Sequence, residues 1–124
     1  PDGLPAGEAV ATGAGRLPAR WVIHTVGPDA RRGQTDPALL ASCFTRSLEV
    51  ASGLGARSVA FPAVSAGVFG WAAGEVARVA VGAVRAWAEQ SEPADDGAPR
   101  PSLVRFVLFS EPLLTAFDKA LATS

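Results

Sequence analysis

Apolar and polar positions along the chain fall into blocks with different spacings. Arg20 to Val26 (RWVIHTV) is a mostly apolar, β-branched run closed by Gly27-Pro28, the profile of a strand covered on both faces. Asp36-Pro37 reads as an N-cap followed by proline at the first helical position. Leu40, Cys43, Phe44, Ser47, Leu48 and Ala51 then recur at three- and four-residue intervals, which predicts a helix with one apolar stripe. Gly53-Leu54-Gly55 should stop it. Ser58 to Phe61 is a second short strand. From Ala73 the helical spacing returns with Val76, Val79, Ala80, Ala83, Val84 and Trp87 and lasts to about Glu89. Leu103 to Phe109 (LVRFVLF) reads as a third, nearly continuous apolar strand. Ser110 should cap a last helix whose Leu114, Phe117 and Leu121 face inward.

The connections are less informative. Ala6 to Thr12 reads as a turn or short strand, Asp29 to Thr35 (DARRGQT) as a polar loop with Arg31-Arg32 on a solvated surface, and residues 91–102 as a mobile surface loop rich in proline and acids. Three strands alternating with three helices predict an α/β fold in a single domain over residues 1–124. The sheet should be at least partly parallel, with helices on both faces. Ligands of such sheets collect outside the carboxyl ends of the strands. Two segments lie there: Ser65 to Gly70, and the end of LVRFVLF with Phe109.

Composition narrows the function classes. With 124 residues and 48% hydrophobic content the chain suffices for one modest core. Eleven basic and twelve acidic residues leave no positive field for a nucleic-acid backbone. Cys43 is the only cysteine, so no intrachain disulfide can form, and a reducing cytoplasm is the expected compartment. No apolar run reaches the ~20 residues of a membrane span. His24, the single histidine, sits mid-strand and reads as a hydrogen-bonded core residue, and no His/Cys cluster offers a zinc site. Ten arginines to one lysine, with much Ala and Gly, match a GC-rich bacterial genome. There is no methionine, and Pro1-Asp2-Gly3 reads as the middle of a loop, so residues upstream are expected.

The segment Phe61-Pro62-Ala63-Val64-Ser65-Ala66-Gly67-Val68-Phe69-Gly70 joins a strand to a helix. A strand, a glycine-bearing loop and a helix start leave backbone N–H groups that can point at an anion, phosphate above all. Gly67 and Gly70 permit close approach or positive φ, Ser65 adds a hydroxyl donor, and Phe69 offers a flat apolar face. A tight turn whose glycines serve only the turn fits the same residues.

Three blocks resolve that ambiguity by resemblance. Pro5-Ala6-Gly7-Glu8-Ala9, then Leu17-Pro18-Ala19-Arg20-Trp21-Val22-Ile23-His24-Thr25-Val26-Gly27-Pro28, then Arg57-Ser58-Val59-Ala60-Phe61 running into the loop up to Gly70, are similar in order and spacing to a macrodomain. The branch resembled removes ADP-ribose from proteins and deacetylates O-acetyl-ADP-ribose. The resemblance implies a three-layer α/β/α fold with a mixed sheet and an ADP-ribose cleft at the strand ends. It implies that Ser65, Ala66, Gly67, Val68, Phe69 and Gly70 wrap the diphosphate and distal ribose through backbone amides, with Phe69 beside that ribose and Phe109 stacked on adenine. Ala66 stands where Thr is frequent, which removes one hydroxyl contact. The family's first strands, its Asn-bearing segment and its other glycine-rich loop precede the Pro-x-Gly block, so an open cleft wall and an open sheet edge are expected here.

No general base is assigned. Glu8 and Glu75 read as helix-end or surface carboxylates. No cofactor and no metal are expected; the expected partners are ADP-ribose or O-acetyl-ADP-ribose and an ADP-ribosylated protein. Three functions stay open: an ADP-ribosyl hydrolase, a non-catalytic ADP-ribose reader, and an RNA- or nucleotide-binding module, which the charge balance disfavours.

Overall fold

The computed structural model describes residues 4–16, 19–90 and 101–123, apart from the side chain of Val68. Strands β1 (Ala9–Gly13) and β2 (Trp21–Thr25) are followed by helix α1 (Pro37–Gly53), strand β3 (Ser58–Phe61), helix α2 (Ala73–Gln90), strand β4 (Leu103–Phe106) and helix α3 (Glu111–Ala122). Two short 3-10 turns, Ala30–Arg32 and Gly67–Phe69, lie in the loops after β2 and β3. Strand pairing is mixed: β1 with β2 is antiparallel, and β3 with β4 is parallel with Phe61 opposite Phe106. The expected loop over 91–102 lies largely outside the described residues. At its end, Ser102 N–H donates to the Arg57 carbonyl at 2.9 Å, which starts the β3–β4 register.

Helix α1 is the spine of the core, and local chemistry makes it one. The Asp36 carboxylate accepts from Ala38 N–H, Pro37 opens the first turn, and the Ala56 N–H returns to the Ala51 carbonyl past a left-handed Gly55. Its buried residues are Leu40, Cys43, Phe44, Ser47, Leu48 and Ala51, the stripe that the spacing predicts. Phe44 meets Phe61 edge-on at 5.0 Å between ring centroids and Phe106 at 6.3 Å, and Phe106 lies 4.8 Å from Phe117 of α3. One face of the β3–β4 pair and two helices thus share an aromatic cluster, an area-rich way for a small domain to bury apolar surface. Val76, Ala77, Ala80 and Val81 of α2 close the core beside α1 and α3.

Three expectations are corrected. Strands β2 and β4 are half-covered instead of buried on both faces: His24 and Val26 are exposed, and along β4 Leu103 and Arg105 are exposed while Val104 and Phe106 turn inward. His24 is therefore no core residue, although its Nε2 is hydrogen-bonded to Thr12 Oγ1 at 2.9 Å. Strand β4 ends at Phe106, short of the expected Phe109, so Phe109 lies in the loop that follows. Helix α3 is rotated relative to its expected stripe. Ser110 Oγ accepts from Leu113 N–H and Pro112 sits in the first turn, and in that phase Leu113 and Phe117 are buried while Leu114 and Leu121 are 47% and 49% exposed.

Each of β2 and β3 pairs on one side only, and no ladder joins them. Between them runs a groove of about 1000 Å³, with Ile23 and Thr25 on one side, Val59 and Phe61 on the other, and Ser47 and Ala51 of α1 among its lining. The single open edge expected from the sequence is thus two edges facing one groove.

The phase of α3 has a direct test. Leu113→Ala removes a side chain that is 3% exposed and should cost ~2–5 kcal/mol in denaturant unfolding. Leu114→Ala should stay within ~0.5 kcal/mol of the parent. Equal costs would contradict the rotation.

Candidate ligand site

The loop 65–70 hangs from one atom. The carbonyl of Pro28, a buried residue just beyond β2, accepts from Ser65 Oγ at 2.8 Å and from Trp71 Nε1 at 3.0 Å. Trp71 N–H also donates to the Ser65 carbonyl at 3.3 Å, so both ends of the loop are drawn to one neck. Gly27 permits the approach. A Cβ there would collide with Ser65 Oγ and sit 2.8 Å from Val64 Cγ1. Ser65 has φ +70°, the one left-handed non-glycine position among the described residues, and its hydroxyl bond to Pro28 helps hold that geometry. The Ser65 hydroxyl proton is therefore committed to the protein and is not the ligand donor that the sequence suggested.

The amides of the loop divide into two sets. Ala66 N–H is taken by the Ala63 carbonyl at 3.2 Å and Gly70 N–H by the Gly67 carbonyl at 2.9 Å, so neither serves as an outward donor. Gly67 and Val68 open the 3-10 turn, where N–H groups have no acceptor within the element, and Ala66 supplies no side-chain cap. Ser65 N–H has no main-chain acceptor among the described residues, and Gly67 sits beside the parallel bridge that Ala66 makes with Trp71. Gly67 has φ +74°, and a Cβ on it would lie 3.9 Å from Phe109 Cζ. The structure therefore places the Phe109 ring, 74% exposed, beside the turn that Gly67 opens. Gly70, at φ +83°, closes the turn against Arg31.

The loop after β2 contributes the remaining wall. Asp29 is buried, and its carboxylate accepts from Arg31 N–H at 3.0 Å, Nε at 3.1 Å and Nη2 at 3.1 Å, while its own N–H donates to Gln34 Oε1 at 2.8 Å. The Arg31 hydrogen bond holds the Asp29 carboxyl below its ordinary range, and Asp29 in turn raises Arg31. The Arg31 guanidinium carbon stands 5.8 Å from the Phe69 ring centroid. Arg31 remains 58% exposed, as a solvated residue would, yet it is fixed on both sides.

Of the residues named from sequence, Ser65, Gly67, Phe69, Gly70 and Phe109 are thus brought to one rim, and Ser65 and Phe69 also border the groove between β2 and β3. Sequence reasoning missed Gly27, Pro28, Asp29, Arg31 and Trp71. An Asp-x-Arg spacing directly after Gly-Pro was the available signal for one pair. Elsewhere the titratable groups are plain: Glu75 lies exposed in the first turn of α2, and Glu8 lies 4.0 Å from Arg46. Burial pushes the Cys43 thiol up, and its Sγ donates to the Val26 carbonyl at 3.4 Å. Among the described residues no group of three His, Cys, Asp or Glu side chains could hold a metal ion.

Comparison with known proteins identifies the family. The Macro domain family model matches residues 1–80. The chain belongs to the macro domain family. A macro domain-containing protein of Streptomyces griseus is 51% identical over 120 residues, covering 97% of this chain and 63% of its own length. One from Streptomyces coelicolor is 49% identical over 115 residues, covering 93% and 62%. The chain thus spans less than two thirds of the length of these relatives. Among solved structures, a mutant Oceanobacillus iheyensis macrodomain with ADPR superposes with a TM-score of 0.80 at 33% identity, covering 95% of this chain and 60% of that one. The Trypanosoma brucei macrodomain in complex with ADP-ribose gives a TM-score of 0.80 at 32% identity, covering 95% and 47%. The α/β macrodomain fold expected from the sequence is therefore the fold of this chain. Among the described residues no helix is long and apolar enough to cross a membrane.

Two outcomes follow. Gly27→Ala should destabilise by ~1–3 kcal/mol, because the added methyl displaces Ser65 from Pro28, and urea unfolding reads it. Asp29 has a lowered folded pKa, so its contribution is full above the ordinary carboxylate value of 3.8 and is lost as pH falls through the depressed folded value. Acid unfolding of Asp29→Asn should lack that part of the pH dependence.

Proposed function

We propose that this macro domain holds ADP-ribose against the loop Ser65 to Gly70, with adenine on Phe109, and that the whole protein hydrolyses ADP-ribosyl linkages on proteins or deacetylates O-acetyl-ADP-ribose. The observation that carries the reading is the turn opened by Gly67 and Val68, whose N–H groups have no acceptor within the turn, set beside an exposed ring at Phe109. A diphosphate asks for converging N–H donors, and a nucleobase asks for a flat apolar face. The ADP-ribose and ADPR complexes of the T. brucei and O. iheyensis macrodomains support the same ligand. In this reading the amides of Ser65, Gly67 and Val68 meet the phosphates and Phe69 packs on the distal ribose, so the leaving side is held still while water attacks the anomeric carbon or an ester on that ribose.

A reader without turnover is the second reading, and one feature favours it. Ser65 to Gly70 carry no titratable side chain, and the nearby Asp29 carboxylate is already occupied by Arg31. A lone buried cysteine supports a reducing compartment, and the cytoplasm is the location proposed. The modified protein that would present ADP-ribose is the expected macromolecular partner.

Calorimetry of the chain with ADP-ribose should show one site, and Gly67→Val should weaken it at least about tenfold. A β-branched residue at positive φ adds more strain than the ~1–2 kcal/mol of an ordinary L-residue, so circular dichroism must first show the variant folded. Affinity unchanged by Gly67→Val would remove the loop from the site. Release of ADP-ribose from a modified protein, or turnover of O-acetyl-ADP-ribose, separates the hydrolase from the reader.

A further inference from the structure

We infer that Arg31 is a positioning residue that sets the Phe69 ring, and through it the preference for a ligand carrying a sugar beyond its diphosphate. The inference rests on the ligand reading above. Three features make the arrangement a clamp instead of a surface charge. Asp29 grips the guanidinium through both Nε and Nη2, a two-point fork that fixes the plane of the group. Asp29 is itself buried and held by Gln34, so the fork has a rigid base. The far side of the guanidinium faces the Phe69 ring at 5.8 Å, within cation–π range, while the Arg31 stem packs under Gly70, where a Cβ would lie 3.3 Å from Arg31 Cγ.

The consequence is local. Phe69 ends the 3-10 turn that begins at Gly67, and Gly70 closes it. Phosphate contacts come from the start of the turn, whereas the ring at its end meets whatever lies past the second phosphate. Loosening Arg31 should therefore weaken a ligand with a terminal sugar more than one that stops at the diphosphate. Lysine cannot replace it, since a single ammonium has neither the fork for Asp29 nor the plane for Phe69.

The test compares wild type with Arg31→Lys, Arg31→Gln and Asp29→Asn in two measurements. In the absence of ligand, NMR of the phenylalanine rings, with Phe69 assigned from Phe69→Leu, should show its resonances moved in all three variants and the other rings unmoved. In calorimetry, the ratio of ADP-ribose to ADP affinity should fall by about two- to fivefold in all three, the size of an exposed cation–π contact. Unmoved Phe69 resonances overturn the clamp. Arg31→Lys behaving as wild type shows that charge alone suffices, and equal losses for ADP-ribose and ADP show a general electrostatic effect; either result overturns the inference. Should wild type bind neither nucleotide, the ligand reading falls and with it the preference, while the ring resonances still decide whether the clamp exists.

Discussion

The carbonyl of Pro28 is the point on which the ligand rim depends. A carbonyl oxygen has two lone pairs, and here the Ser65 hydroxyl takes one and the Trp71 indole the other. Because the two donors bracket the loop, one acceptor fixes its span. Losing either bond would leave a buried polar group unmatched, a cost of ~1–3 kcal/mol. The β1–β2 pair and the β3–β4 pair share no ladder, so this junction and the helix α1 are what bring their ends into register. Position of the loop is thus decided from β2, although the loop itself grows out of β3.

Beneath the rim the fold is held by different physics. The cluster of Phe44, Phe61, Phe106 and Phe117 is apolar and non-directional in its driving force, with edge-on packing adding a smaller geometric preference. The rim is directional, built from hydrogen bonds with defined partners and from backbone at positive φ. The upper loops thus present an exposed aromatic ring above an apolar core, and Trp71, 5% exposed, serves both by packing in the core and bonding to Pro28.

What could be read from the sequence was whatever is encoded locally. The α1 stripe was legible because cap, proline, period and terminal glycine all lie within one segment. The phase of α3 was not, because the Ser110 cap was legible but both Leu113 and Leu114 fit a stripe through Phe117, and packing on the rest of the core turns Leu113 inward. Exposure of Phe109 is invisible in an apolar run that reads as one strand. The loop 65–70 was identified as a unit, but which amides remain outward depends on Ala63 and Gly67 as acceptors, and the loss of the Ser65 hydroxyl depends on Pro28, far away in the chain. Arg31 illustrates the same limit: its bond to Asp29 is local, while its approach to Phe69 exists only after the two loops have folded together.

Ser65 shows how narrow the vocabulary at such a position becomes. Its backbone is left-handed, which excludes β-branched and bulky side chains. Its side chain packs on Gly27, where an added Cβ would collide with Ser65 Oγ. Glycine would relieve the dihedral and forfeit the bond to Pro28, and alanine would keep the strain and forfeit the bond as well. Serine meets these demands, so this residue is chosen by the architecture of the neck and not by the chemistry of any nucleotide that rests on it.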